Sequence, residues 1–129
     1  MIEIDHTIPP IFYECEKHFG VKWENIIITY YPKIHAAKNI SDIKLAHELT
    51  HITQQKDLGA KEWWALYFQD KDFRFKQELE AYRQEVAYVI ENVGDRNERY
   101  RIITRIAKDL SGSMYGNLVS FDEARKLLA

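Results

Sequence analysis

The chain has 129 residues, with 18 Lys and Arg against 20 Asp and Glu, a formal net charge of −2 and a pI near 6.2. This length suits one domain, residues 1–129, and the near-neutral charge gives no general electrostatic reason to bind nucleic acid. No uninterrupted apolar run approaches the roughly 20 residues that cross a bilayer, so a membrane is not an expected partner either. A single cysteine, Cys15, and an N-terminus without a secretory pattern predict a cytoplasmic protein.

The first part of the chain predicts one helix and two strands. Pro9 opens a segment whose apolar residues recur at helical spacing, and Gly20 follows it as a C-cap. The run 26–31 is β-branched and aromatic and stops at Pro32, which predicts a buried strand. Residues 34–38 predict a second, shorter strand, so we expect a short sheet of two to four strands.

The remainder of the chain predicts helices. Ser41 is a good N-cap, and the helix that it begins should continue to about Lys56 and end near Gly59. Ser120 and Glu123 form a capping box that starts a terminal helix within a C-terminal loop and helix. The apolar periodicity predicts further helices over 60–69, 73–92 and 96–110. Residues 113–129 are the predicted C-terminal loop and helix. The expected fold class is therefore α+β and mainly helical.

Residues 47–51 read His-Glu-Leu-Thr-His, the H-E-x-x-H motif of a metal-binding helix. Histidines four positions apart lie one helical turn from each other, so His47 and His51 can reach a single zinc ion, with Glu48 beside it. On a helical wheel both histidines lie away from an apolar stripe, which we expect to be the buried face of this helix: Leu45, Leu49 and Ile52. The alternative is that two core or surface histidines lie near a carboxylate by chance and bind no metal.

A catalytic zinc site requires a third protein ligand and keeps another position for water. In the helix predicted over 73–92, Glu78 and Glu85 both border the apolar stripe, whereas Glu80 faces solvent. Glu78 is the first candidate for the third ligand and Glu85 the alternative. Without the histidine motif, Glu78 would be interpreted as an ordinary carboxylate at the boundary of a charged helix.

At this point the sequence resembles the zincin metallopeptidases, specifically the gluzincin arrangement of small bacterial and phage domains. The motif is often followed there by two glutamines, as at Gln54 and Gln55, and residues 78–81 are similar to the family's E-x-E-A segment, whose first glutamate binds zinc. The resemblance covers roughly residues 25–90 and implies a minimal zincin-like metallopeptidase domain with Glu78 as a ligand. Many relatives have Asp after the alanine, to orient a ligand histidine; this chain has the uncharged Tyr82, so another group orients the histidine or the site is weaker.

The leading hypothesis is a zinc-dependent peptidase with Zn²⁺ as cofactor, a peptide or protein as substrate and Glu48 as the general base. The resemblance also implies that a strand before the histidine helix aligns an extended substrate, and residues 34–38 are the predicted edge. Tyr82 and His35 are candidates for orienting a ligand or for stabilising an oxyanion.

Two rival classes use the same motif. A zinc-stabilised, non-catalytic interaction module of the same fold would dock a partner through the aromatic residues of 63–68, which could equally cover the cleft as a lid. A deformylase-like amide hydrolase takes a cysteine ligand from a motif that is absent around Cys15.

Overall fold

A computed structural model describes residues 3–112 and 115–129, so the start of the predicted terminal loop, residues 113 and 114, lies outside it. A small sheet and a set of helices form the described part, which confirms the expected α+β, mainly helical class. Within those ranges, none of the helices is both long and apolar enough to cross a membrane. The elements in chain order are β1 (Ile4–Asp5), α1 (Phe12–Phe19), β2 (Ile27–Tyr30), β3 (Lys33–Ala36), α2 (Asp42–Leu58), α3 (Ala60–Gln69), α4 (Lys71–Asn92), α5 (Arg96–Leu110) and α6 (Phe121–Leu128).

Local capping residues set the helix boundaries. The Ser41 hydroxyl accepts a hydrogen bond from the backbone N–H of Lys44, and Ser120 with Glu123 forms the predicted capping box. Helix α4 begins earlier than predicted because the Asp70 carboxylate accepts hydrogen bonds from the first backbone N–H groups of the helix. The sequence pattern therefore located these helices well, and α4 differs from the prediction only in its first turn, which Asp70 caps.

The sheet has the strand order β1-β3-β2, with β1 parallel and β2 antiparallel to β3. Strand β3 is therefore central, and the prediction that residues 34–38 form a free substrate edge is wrong: β3 is paired on both sides. Strand β2 is at the edge instead. The N-terminal strand β1 was not predicted, because two residues are too short to show an alternating pattern and their partner, Ile34, is distant in sequence.

Two hydrophobic clusters form the core of the described residues. One joins α4, α5 and α6 around the fully buried Ile106 and Leu110. The other joins α1, the sheet and α3 around Trp63, which is 1% exposed. Trp63, Trp64 and Tyr67 are all buried in this second cluster, so they do not form an exposed aromatic surface.

Helix α2 packs along α4 with a polar face, contrary to the prediction from the helical wheel. Leu49 is 39% exposed, and Leu45 and Ile52 are only half-buried. The buried side chains of α2 are polar or ionisable: His47, Glu48, His51 and Gln55. A polar helix face can be buried only where its groups find partners, and the residues that supply those partners form the candidate site.

Candidate metal centre

Helices α2 and α4 together bring three potential metal ligands to one point. His47 Nε2 and His51 Nε2 each lie 2.9 Å from Glu78 Oε1, and the two nitrogens are 3.1 Å apart. All three side chains are buried, and their ligand atoms lie within 4.8 Å of one another. We call His47, His51 and Glu78 the ligand cluster; its members are the metal ligands predicted from the sequence.

Ala81, one helical turn after Glu78 on α4, is fully buried. Helices α2 and α4 pack against each other, and a larger side chain at a fully buried position of α4 would displace its neighbours.

The hydrogen bonds behind each imidazole indicate that the cluster suits a metal ion. Nδ1 of His47 lies 2.8 Å from Glu85 Oε2, and Nδ1 of His51 lies 2.8 Å from Gln54 Oε1. Since a carboxylate or amide oxygen accepts, each Nδ1 carries a proton, and each Nε2 faces Glu78 Oε1 as the atom that would supply a lone pair to a bound metal ion. Three electron-pair donors that face one another repel unless a cation lies between them, so these residues can hold a metal ion.

The electrostatics of the cluster also favour a positive charge. Burial alone lowers the pKa of His47, but the carboxylates of Glu78, Glu85 and Glu48 outweigh it and raise that pKa to about 10. Burial alone raises the pKa of Glu78, but the imidazoles of His51 and His47 hold it well below its ordinary value. A position where a buried imidazolium is stabilised is equally suited to a metal cation.

Glu85 orients His47 and does not enter the ligand cluster. Its carboxylate is fully buried on the Nδ1 side of the imidazole, opposite Glu78, and Lys44 Nζ lies 3.3 Å from its other oxygen. The alternative prediction of Glu85 as a metal ligand therefore does not match its placement. Glu85 instead supplies the charged partner of His47, the role that the resemblance implied for an Asp at the position of Tyr82. The ring of Tyr82 packs edge-on against His47, with centroids 4.6 Å apart.

Glu48 lies beside the ligand cluster, as the motif predicts. Its Oε1 accepts a hydrogen bond of 2.8 Å from the Thr29 hydroxyl, and its Oε2 lies 3.8 Å from His47 Nε2. Thr29 is on the edge strand β2, so the sheet holds one oxygen of the carboxylate while the other faces the cluster. The sequence analysis did not identify Thr29, because Thr29 becomes a partner of Glu48 only through the position of β2 relative to α2.

Two tyrosines that the sequence did not assign to the site contribute to it. Tyr67 donates a hydrogen bond of 2.5 Å to Glu78 Oε2, which leaves Oε1 for the histidines. Burial and the nearby Glu78 raise the pKa of Tyr67 well above its ordinary value, so the hydroxyl remains a donor. The Tyr115 hydroxyl lies 3.1 Å from that of Tyr82, and both rings line the same cavity as the cluster.

The structure places His35 elsewhere. Its Nδ1 lies 3.0 Å from the backbone oxygen of Thr7 and 3.9 Å from Asp5 Oδ1, at the junction of β1 and β3. His35 is not among the residues that line the cavity, whereas Tyr82 is.

A cavity of about 540 Å³ lies beside the ligand cluster. Its polar wall is formed by the cluster, Glu48 and Thr29. Its apolar lining comes from the end of α1, the loop before β2 and helix α3: Cys15, Phe19, Val21, Ile26 and Trp64. A volume of this size is typical of a binding site for a small molecule or a short peptide segment.

No family model matches this chain, and neither a curated protein nor a solved structure matches it. The resemblance to zincins therefore depends on the H-E-x-x-H and E-x-E-A segments and on the geometry of the ligand cluster.

Proposed function

We propose that this chain is a zinc-dependent metallopeptidase of the gluzincin type that hydrolyses peptide bonds. The observation that carries the proposal is the convergence of His47, His51 and Glu78 beside a free oxygen of Glu48, at the wall of a cavity. Two imidazole nitrogens and one carboxylate oxygen are the protein ligands of a catalytic zinc site that keeps a position for water. Zinc is favoured among metals because imidazole suits it and because H-E-x-x-H is its common helical motif.

Glu48 is the general base in this proposal. Zinc held by the cluster would supply a Lewis acid that polarises the scissile carbonyl and lowers the pKa of water to about 7. Glu48 Oε2 accepts the proton of the attacking water and delivers it to the leaving amine nitrogen. Because Thr29 holds Oε1, the carboxylate does not have to reorient between the two transfers.

Residues behind the ligands keep them in place. Glu85 and Gln54 each hold one histidine in the tautomer that leaves Nε2 free, and Tyr67 holds the second oxygen of Glu78. An extended substrate would pair with the outer edge of β2 at Ile27, which lines the cavity. The backbone oxygen of Thr29 on the same edge already accepts hydrogen bonds from Gln55 Nε2 and Trp64 Nε1. Strand β2 therefore takes the place of residues 34–38, which the sequence predicted as the edge that aligns the substrate.

The non-catalytic alternative has less support. It depended on exposed aromatic residues in α3, and Trp63 and Tyr67 are buried against the cluster instead, with the Trp63 ring 5.2 Å from that of His51. A cavity that reaches Glu48 is a feature that a purely structural zinc site does not require.

The test combines metal analysis with hydrolysis of a mixture of quenched fluorescent peptides. We expect one zinc per chain, peptide cleavage that stops on chelation and resumes with zinc, and no cleavage by Glu48→Gln, which should retain the metal. Glu91→Gln serves as the matched control, because Glu91 is an exposed carboxylate on the same helix as Glu78. Retained zinc without cleavage of any peptide, or undiminished cleavage by Glu48→Gln, would contradict the proposal.

A further inference from the structure

The cavity beside the ligand cluster follows one face of helix α2. Lys44, His47, His51 and Gln55 line it at intervals of three or four residues, so it extends along about three turns of the helix, roughly 16 Å. The two histidines lie in the middle of this length. A molecule bound to the ligand cluster can therefore extend from it in both directions along α2.

The end of the cavity nearer Lys44 is polar. The ring of Tyr82 lies 4.6 Å from that of His47, and Lys44 Nζ lies 5.6 Å from the centre of the Tyr82 ring. The hydroxyl of Tyr115, 3.1 Å from that of Tyr82, is also at this end. An amine and two hydroxyls suit the polar parts of a substrate, such as its peptide groups.

The end of the cavity nearer Gln55 is apolar. Gln55 and Trp64 both donate hydrogen bonds to the backbone oxygen of Thr29, which places Trp64 at this end. We call the apolar lining residues the apolar pocket: Cys15, Phe19, Val21, Ile26 and Trp64. Phe19, Val21 and Ile26 are only half-buried, although they pack against the hydrophobic cluster around Trp63. A side chain that entered the pocket would remove more of their apolar surface from water.

Two aromatic contacts connect the apolar pocket to the ligand cluster. The ring of Trp63 lies 5.2 Å from that of His51 and 4.9 Å from that of Trp64. The ring of Tyr67, whose hydroxyl donates to a carboxylate of the ligand cluster, lies 5.9 Å from that of Phe19. The apolar pocket is therefore next to the position of the metal ion.

The cavity offers no unassigned carboxylate to a basic side chain. Among the described residues that line it, the carboxylates are Glu48 and Glu78, which are the general base and a metal ligand in the proposed function. The loop between α1 and β2 contributes one charged group to the lining, the exposed Lys22. Because an unpaired charge is costly to bury, the apolar pocket suits an uncharged, apolar side chain.

We infer that the apolar pocket is a specificity subsite, and that the substrates are peptides with a large aliphatic or aromatic side chain next to the cleaved bond. The inference rests on the proposed function and adds the substrate class. Because the pocket adjoins the ligand cluster, the side chain that fills it belongs to a residue beside the scissile bond. Cys15, Phe19 and Val21 precede residues 25–90, the part that resembles zincins, so the resemblance implies nothing about this pocket.

The test uses blocked peptides of glycine and serine that differ only in one central residue: Leu, Phe, Ala, Gly, Asp or Lys. With zinc-loaded protein, we expect cleavage beside Leu or Phe to have a kcat/KM at least about tenfold higher than cleavage beside Gly, Asp or Lys. Mass spectrometry of the products shows which bond is cut. Equal cleavage of all the peptides, or a preference for a charged residue, would overturn the inference while leaving the proposed peptidase function intact.

A binding measurement separates this inference from failure of the proposed function. Trp63 and Trp64 line the cavity, so their fluorescence should report binding of the same peptides to zinc-loaded Glu48→Gln. We expect the Leu and Phe peptides to bind at least about tenfold more tightly than the Gly, Asp and Lys peptides. Equal or undetectable binding overturns the inference, whereas selective binding without hydrolysis by the wild-type protein contradicts only the peptidase function.

Substitutions of Val21 test the assignment of the pocket through the size of the preferred side chain. Val21→Phe should narrow the pocket and lower the ratio of Phe to Ala peptide cleavage at least about tenfold, and Val21→Ala should raise that ratio. Ile11→Ala is the matched control, because Ile11 is half-buried against the same hydrophobic cluster but is not among the described residues that line the cavity.

The control distinguishes a change of specificity from a loss of stability. Ile11→Ala and Val21→Ala should both lower the melting temperature, but only Val21→Ala should change the preferred side chain. Circular dichroism and zinc analysis verify that each variant is folded and loaded. An unchanged ratio in folded, zinc-loaded Val21→Phe and Val21→Ala, or the same change of ratio in Ile11→Ala, would contradict the assigned subsite.

Discussion

The Nδ1 atom of His47 donates a hydrogen bond of 2.8 Å to the fully buried carboxylate of Glu85. Glu85 lies two helical turns after Glu78 on α4, so one helix contacts both nitrogens of the same imidazole from opposite sides. The sequence offered both acids as ligand candidates. The structure separates their roles: Glu78 faces the ligand cluster, and Glu85 fixes the ring that presents the ligand atom.

We therefore expect Glu85→Gln to weaken zinc binding without abolishing it. An amide oxygen can still accept from Nδ1, but the charge that makes the imidazole a better ligand is lost, which costs about 10–100-fold in metal affinity. Competition with a chromophoric chelator measures the affinity. Glu91→Gln, on the exposed face of the same helix, should bind zinc like the wild type. An unchanged affinity in Glu85→Gln would mean that Glu85 does not tune the site.

Zinc should raise the thermal stability of the folded protein. Because a preformed cluster binds the metal only in the folded state, zinc at 100 times its Kd adds about 2.7 kcal/mol to the free energy of unfolding. Differential scanning calorimetry with zinc or with chelator measures this increment. The increment should disappear in His51→Ala and Glu78→Ala but persist in Glu48→Gln, since Glu48 lies outside the cluster. A zinc increment retained by Glu78→Ala would show that the third ligand is another residue.

Thr29→Val should reduce turnover and leave metal affinity unchanged. The substitution keeps the shape of the side chain but removes the hydroxyl that holds Glu48 Oε1. Losing a hydrogen bond to a charged group costs about 1.5–3 kcal/mol, which corresponds to at least about a tenfold lower kcat if the loss falls on the transition state. Steady-state kinetics and chelator competition measure the two effects separately, and a normal kcat in this variant would remove Thr29 from the catalytic arrangement.

The Cys15 thiol should be unreactive in the native protein. It is 1% exposed, and burial, with a smaller effect of Glu14, raises its pKa to about 12. Since the thiolate is the reactive form, and a raised pKa leaves little thiolate at pH 8, a disulfide reagent should label Cys15 only after unfolding in guanidinium. Rapid stoichiometric labelling of the native protein would contradict the packing of α1 against α3.

Leu110→Ala should destabilise the protein without changing the identity of its metal ligands. Leu110 is fully buried in the cluster that joins α4, α5 and α6, so truncation leaves a cavity and lowers the free energy of unfolding by about 2–5 kcal/mol. Urea denaturation with chelator present measures this loss. The separate stabilisation by zinc should persist, and a loss below 1 kcal/mol would mean that the site repacks.

The sequence alone determined the parts of the protein that depend on local periodicity. The helices, the caps at Ser41 and Ser120 and the H-E-x-x-H pair follow from hydrogen bonds and side-chain spacing within a few residues. Glu78 was predicted because its position on the helical wheel borders a buried stripe, a property of α4 by itself.

The tertiary structure decided which residues meet across elements. The central position of β3, the burial of a polar face on α2, and the contacts of Glu85, Thr29 and Gln55 all depend on partners distant in the chain. The periodicity of residues within one helix or strand carries no information about such a partner. A polar face is buried when groups on other elements satisfy its hydrogen bonds, and that condition exists only after the elements have packed together.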